Sequence, residues 1–252
     1  MSNQSFAVGQ YVFRLASRNE AFLNDACKFF IQTCNSDAQV IDLDQPAVPV
    51  ALGDQIASLQ SVITSAIRAH TGSVYVDGCV FRTNRSQTVL LAGASYSGKT
   101  TLSVALTMKL GWKLVSEDRV IIDCQQRCVV PMNCPLSLRP DAPQMLAAAF
   151  GIELPQLYLN KWVVDHSLFH RNPISPQFDF AVQLQRQHGG EQMKVTTVTP
   201  AEFLRSILPL SNALRMLGGV ETVGHSLING TCSVIQEGNL TERLNYFQEL
   251  IS

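Results

Sequence analysis

Charged side chains are scarce in this sequence: they make up 15% of its 252 residues, against roughly 25% in an ordinary soluble domain. Nineteen Lys and Arg stand against twenty Asp and Glu, so the formal net charge is -1 and no global field favours nucleic acid or an anionic membrane. Long hydrophobic runs are missing as well. The longest apolar stretches, such as 145–152, fall far short of the roughly 20 residues that cross a bilayer. The start, MSNQSFAVGQ, has no cationic segment leading into an apolar run, so no secretory signal is legible and a cytoplasmic location is the expectation. Seven cysteines are an odd number. Cys124, Cys128 and Cys134 cluster without a nearby His, a spacing that favours reduced, buried thiols over zinc. There is no internal repeat, and with 46% hydrophobic residues disorder through charge excess is excluded.

What is present is a punctuated α/β pattern. Asn19 is placed to cap a helix whose Phe22, Ala26, Phe29 and Phe30 share a face, and Asp54 to cap one carrying Ile56, Leu59, Ile63 and Ile67. Gln39–Leu43, before Pro46 and Pro49, predicts a strand, so residues 1–69 read as a small α/β layer packed on the rest. From His70 onward the texture changes. Ser73–Val76, Asp77-Gly78 and Val80–Thr83 predict a hairpin, because Asp-Gly favours the tight turn. Thr88–Leu91 predicts a strand stopping at Gly93, Thr100–Leu110 a helix ending at Gly111, and Lys113–Val115 and Arg119–Asp123 two further strands. Thr199-Pro200-Ala201-Glu202 combines an N-cap, a first-turn proline and a capping-box Glu. A last helix carries Leu240, Leu244, Phe247 and Ile251 on one face.

Residues 93–100, Gly93-Ala94-Ser95-Tyr96-Ser97-Gly98-Lys99-Thr100, match G-x-x-x-x-G-K-[ST] without a gap. That spacing lets successive backbone N–H groups converge on phosphate oxygens at the positive end of the following helix. Lys99 is then expected to reach the terminal phosphates and Thr100 to ligate Mg²⁺, with Thr101 completing the nucleotide-binding stretch. A plain glycine turn between strand and helix is the bland alternative. The metal also needs a carboxylate, and two places offer one: Glu117-Asp118 after the strand Lys113–Val115, or Asp123 at the end of Val120-Ile121-Ile122. Spacing alone does not choose, although adjacent acids supply both a metal ligand and a base for an acceptor hydroxyl.

With these residues in place, the stretch from His70 to Pro140 resembles the catalytic domain of HPr kinase/phosphorylase and its HPr-kinase-like relatives, a P-loop architecture shared with phosphoenolpyruvate carboxykinase. The features that carry it are His70, Asp77-Gly78, Gly93 to Leu102, Gly111, Ser116-Glu117-Asp118 and Pro-Leu-Ser-Leu-Arg at 135–139. The resemblance implies an α/β fold with a mixed β-sheet and flanking helices, residues 70–252 forming the catalytic domain. It implies that Asp118 is the metal-side acid with Thr100, that Glu117 prepares the acceptor hydroxyl, and that His70 lies near the transferred phosphate. Two departures stand out: Tyr96 occupies a loop position often held by Gly, and the first acid is Glu rather than Asp. The HPr-binding C-terminal segment of those relatives has no clear counterpart.

The expected function is therefore ATP- and Mg²⁺-dependent transfer of the γ-phosphate to a Ser or Thr hydroxyl of a peptide or protein. A free small-molecule hydroxyl, a nucleotide-binding regulator and a plain NTPase are the rival readings. Arg139 could clamp a phosphate or be a solvated strand-end residue. Lys161, His166, His170, Arg171 and Pro173 read either as a substrate loop or as an ordinary connection, and His188, before a Gly-Gly turn, and His225, in a helix-to-loop stretch, as residues without a functional role. A sparse surface charge fits docking of an acceptor, or of further copies in a homo-oligomer, through apolar surface. Neither nucleic acid nor membrane is an expected partner.

Overall fold

Thr88–Gly93 is apolar along almost its whole length, and a strand of that kind is stable only where both of its faces are covered. A computed structural model shows that arrangement. It describes residues 2–8, 11–17, 31–32, 40–43, 61–63, 65, 72–132, 136–154, 156–158, 161–162, 168–185 and 192–251. The strands are β1 (Ser2–Val8), β2 (Tyr11–Ser17), β3 (Ile31–Gln32), β4 (Val40–Leu43), β5 (Val74–Arg82), β6 (Thr88–Gly93), β7 (Lys113–Ser116), β8 (Arg119–Asp123), β9 (Cys128–Val130), β10 (Leu136–Ser137), β11 (Gln156–Tyr158), β12 (Lys161–Trp162), β13 (Phe180–Leu184), β14 (Lys194–Val198) and β15 (Thr231–Gln236). The helices are α1 (Lys99–Leu110), α2 (Ala142–Phe150), α3 (Pro200–Ile207), α4 (Gly219–Leu227) and α5 (Leu240–Leu250).

The fold is mixed α/β. Its main sheet has eight strands in the order β14-β15-β13-β6-β5-β8-β9, with β7 also paired to β5. β15, β13 and β6 run parallel, and β5 and β14 run antiparallel to their neighbours. Side chains alternate across this sheet. Val89, Leu91, Phe81, Val182 and Leu184 enter one core with Leu102, Leu106, Trp112, Leu146, Leu244 and Phe247, which places α1, α2 and α5 on that face. Leu90, Ala92, Val80 and Ala181 enter a second core with Phe203, Ile207, Val223 and Leu227, so α3 and α4 cover the other. Trp112 meets Phe81 and Phe247 edge to face, both at 5.9 Å, and so locks the end of α1 between the sheet and α5.

One local expectation is overturned. Asp77-Gly78 is not a hairpin turn; it lies inside β5, a single nine-residue strand. The first half of β5 pairs β8 and the second half pairs β7, with a register shift between Val80 and Phe81. Gly78 serves close approach instead: a Cβ there would meet the Leu91 carbonyl oxygen at 2.7 Å, and the Gly78 N–H donates to the Asp118 carbonyl at 3.1 Å. Asp-Gly is the right signal for a turn, but glycine is equally demanded where three backbones crowd together.

The strand ending at Gly93, the helix from about Thr100 to Leu110 and the strands Lys113–Val115 and Arg119–Asp123 fall where they are predicted. Gly111 ends α1 at φ 67°, and Thr199 and Glu202 form the capping box of α3. A separate four-stranded sheet, β3-β1-β2-β4, contains the predicted strand at 40–43 and a β1/β2 pair in which Phe6 and Phe13 oppose each other, both fully buried. Of the helix predicted from Asp54, residues 61–63 and 65 are helical, with Ile63 buried. The helix predicted from Asn19 and the boundary at 69/70 lie outside the described residues. Among the described residues no helix is long and apolar enough to cross a membrane.

Candidate functional site

The carboxyl end of β6 delivers the chain into a tight turn, residues 94–98, and straight into α1. Gly93 is required by space, since a Cβ would lie 2.7 Å from both the Leu184 carbonyl oxygen and Ser97 Oγ. Gly98 is required by backbone conformation: it stands before the first turn of α1 at φ 91°, which side chains rarely adopt. Tyr96 takes φ 67° without being glycine and is 70% exposed, a strained and outward-pointing residue at the crest of the turn.

The cation of the turn is folded into it. Lys99 is buried, and its Nζ donates to the Gly93 carbonyl at 2.7 Å and the Ala94 carbonyl at 3.0 Å. An ammonium has three donors, so one remains for a further acceptor. The neighbouring Thr100 hydroxyl donates to Glu117 Oε1 at 2.6 Å. Thr100 thus meets Glu117, the acid expected to face the acceptor, rather than closing on Asp118.

Glu117 and Asp118 form the connection between β7 and β8. Glu117 is buried; Asp118 is exposed, at φ 66°, with its carbonyl tied to Gly78. Beneath them burial, with Glu117 adding to it, pushes the Cys79 thiol up to about 12, so it stays protonated and offers no thiolate. Asp77 completes the group. Burial raises its carboxyl above the ordinary range and Asp118 adds to this, while Arg119 and Lys99 oppose it. Asp77 holds its proton more tightly in the fold than in the unfolded chain, so its contribution to stability is present at low pH and lost as pH rises through the folded-state value. Asp77→Asn is expected to raise the melting temperature at pH 7, with the gain shrinking toward pH 4; a thermal-denaturation series across pH checks this, and an equal gain at both ends would contradict it.

Sequence reasoning missed two residues near the turn. Asp77 is one, concealed in an apparent hairpin signal. The other is Arg243 of α5, which is 3% exposed. Its Nη1 donates to the Ser97 carbonyl at 2.8 Å, and its Nε and Nη2 donate to the Glu237 carbonyl at 3.1 and 3.0 Å. The guanidinium thereby joins the β6–α1 turn to the turn before α5, where Glu237 and Gly238 both have positive φ. A signal existed: Arg243 stands next to the apolar stripe of Leu240, Leu244 and Phe247, where a charge has to be paired to be buried.

Other candidates sit elsewhere. Asp123 accepts from the N–H groups of Gln125 and Gln126 at 2.8 and 2.9 Å, capping the β8–β9 turn. β8 runs away from the Asp118 turn, so Asp123 is about 13 Å further along the strand. His170 bonds through its backbone to Leu114, and burial with Arg82 nearby holds its ring below the ordinary histidine range, hence neutral. Arg171 and Pro173 are exposed beside it, and His225 is exposed in the last turn of α4, whose helix covers the other sheet face. His70, His166, His188, Cys134 and the side chain of Lys161 lie outside the described residues.

Arg139 and Tyr96 meet over a small open cleft of about 140 Å³, with the guanidinium 5.9 Å from the ring centre. Ser97, Gly98 and Thr101 line it as well, together with Asn239, Leu240 and Arg243 at the start of α5 and Met145 of α2. Ser95 is exposed on the turn.

No protein-family model and no curated protein matches the chain. Among solved structures it is similar to the Hpr(Ser) kinase/phosphatase from Coxiella burnetii, at 12% identity and a TM-score of 0.32, over 70% of this chain and 96% of that one. At that TM-score the likeness carries no argument, and the function below rests on the geometry of the site.

Proposed function

We propose that the chain binds a nucleoside triphosphate, ATP by expectation, on the 93–101 turn as a P-loop and transfers the γ-phosphate to a hydroxyl, with a Ser or Thr of a peptide or protein as acceptor. The observation that carries the reading is the joint geometry of Lys99 and Thr100: a buried ammonium curled over the turn, and a hydroxyl bonded to a buried carboxylate at 2.6 Å. A glycine turn serving only to join strand to helix needs neither.

The residues fit Mg²⁺. Among the described residues no group of three His, Cys, Asp or Glu side chains is placed to hold a metal, but Mg²⁺ beside a triphosphate needs only one or two protein oxygens. Thr100 and Glu117 present such a hard-oxygen pair. When bound, the ion neutralises charge on the β- and γ-phosphates. The roles of the two acids are then exchanged relative to the sequence expectation: Glu117 orients the metal side through Thr100, and Asp118, exposed at the strand end, receives the acceptor proton.

The chain's own part is positioning and charge. Turn N–H groups and the α1 start hold the phosphates. Lys99 directs its remaining donor to the oxygen that gathers charge, the acceptor oxygen bonds to the γ-phosphorus as the β–γ bridging bond breaks, and the proton passes to Asp118. Glu117→Gln is expected to cut transfer at least a hundredfold while leaving nucleotide binding within a few-fold. The test is transfer from γ-labelled ATP to a panel of hydroxyl peptides, followed by mass spectrometry for one added phosphate. Phosphate release that no acceptor changes would indicate an NTPase instead, and unchanged transfer by Glu117→Gln would contradict the role given to that residue.

A further inference from the structure

The cleft beside the turn is not lined by the acids: Ser97, Gly98 and Thr101 line it rather than Thr100, and neither Asp77, Glu117 nor Asp118 does. Thr101, the residue after Thr100, lines the cleft, which puts the cleft within reach of a triphosphate whose terminal groups sit at Lys99 and Thr100. At about 140 Å³ the space is below the roughly 300–1,000 Å³ of a pocket enclosing a whole ligand. The size suits a flat ring system, once Arg139 gives way, rather than a whole nucleotide.

The walls suit such a ring. Tyr96 is 70% exposed and held at φ 67°, a conformation costly for a tyrosine, and its outer partner is the Arg139 guanidinium. Two stacked contacts of about 3.5 Å each require about 7 Å between the flanking groups. With the guanidinium carbon 5.9 Å from the ring centre, the gap is at least about 1 Å short. Arg139 can supply that distance, because its side chain is 49% exposed and pairs with Asp141 only at 3.9 Å, an exposed contact of little strength. The polar groups at the start of α5 are already engaged: Asn239 caps α5 by accepting from Glu242 N–H, and Arg243 donates to the Ser97 and Glu237 carbonyls. The cleft thus offers faces for stacking.

We infer that Tyr96 and Arg139 form a stacking clamp for the purine ring of the bound nucleotide, with Arg139 withdrawing by at least about 1 Å to admit it. This rests on the nucleotide reading of the turn and assigns the place of the base within it. It also gives the strained tyrosine a purpose that a glycine there could not serve.

The test compares two ligands by calorimetry in the presence of Mg²⁺: ATP, and inorganic tripolyphosphate, which lacks the base. Tyr96→Ala and Arg139→Ala should each weaken ATP about tenfold and leave tripolyphosphate unchanged, whereas Tyr96→Phe should bind ATP as the wild type does. Both side chains are exposed, and retained tripolyphosphate binding reports an intact turn. Equal losses for the two ligands would make Arg139 a phosphate contact and overturn the clamp, as would unchanged ATP binding in both alanine variants. A wild type that binds tripolyphosphate and ATP equally well also overturns the clamp while sparing the P-loop, and a wild type that binds neither removes the nucleotide reading and the clamp together.

Discussion

Lys99→Ala is expected to reduce phosphoryl transfer by about a hundredfold to a thousandfold, the cost of removing one preorganised donor from a site where charge develops. Two of the ammonium's donors are held by the Gly93 and Ala94 carbonyls at 2.7 and 3.0 Å, so the Nζ is fixed before any ligand arrives. A cation so placed stabilises phosphate charge without having to be reorganised during the reaction. Lys99→Met keeps the buried stem and removes only the charge, so it should match the alanine variant in activity and exceed it in stability. Rates from labelled ATP, alongside circular dichroism of both variants, measure this; a loss below fivefold in both would place the charge outside the reaction.

The second large effect falls on stability. Arg243→Met is expected to cost about 3 kcal/mol, because the buried Ser97 and partly buried Glu237 carbonyls lose charged donors. For a chain of this size that is a fall in melting temperature of about 6–12 °C. Arg243→Lys should recover only part of it, since an ammonium is a point donor and cannot span both carbonyls as a planar fork does. Burial pulls the guanidinium below its ordinary value while Glu237 and Glu242 oppose this, yet an arginine remains charged at any working pH. A drop of less than 2 °C would mean that the turn and the α5 start are held by packing alone.

What could be read in advance follows a physical division. The β6–turn–α1 unit was legible because each part has a local cause: an apolar run, glycines demanded by space and by backbone conformation, and a helix ended by Gly111. The α3 cap was legible for the same reason. Asp77-Gly78 was misread because glycine answers two needs and only the long-range pairing of β5 with β7 and β8 tells them apart. The adjacency of β6 and β13 joins residues about ninety positions apart, and Arg243 reaches Ser97 across 146 positions. No local pattern encodes such pairings. The roles of Glu117 and Asp118 depend on which carboxylate a single hydroxyl meets, which spacing alone leaves open.

The central claim is that residues 93–101 are a nucleotide site, and an isothermal titration of the wild-type protein with ATP and Mg²⁺ tests it most directly. One molecule of ATP per chain, displaced by tripolyphosphate and weakened at least tenfold by Lys99→Ala, is the result expected. Absence of binding at millimolar ATP, or binding that Lys99→Ala leaves unchanged, would contradict it.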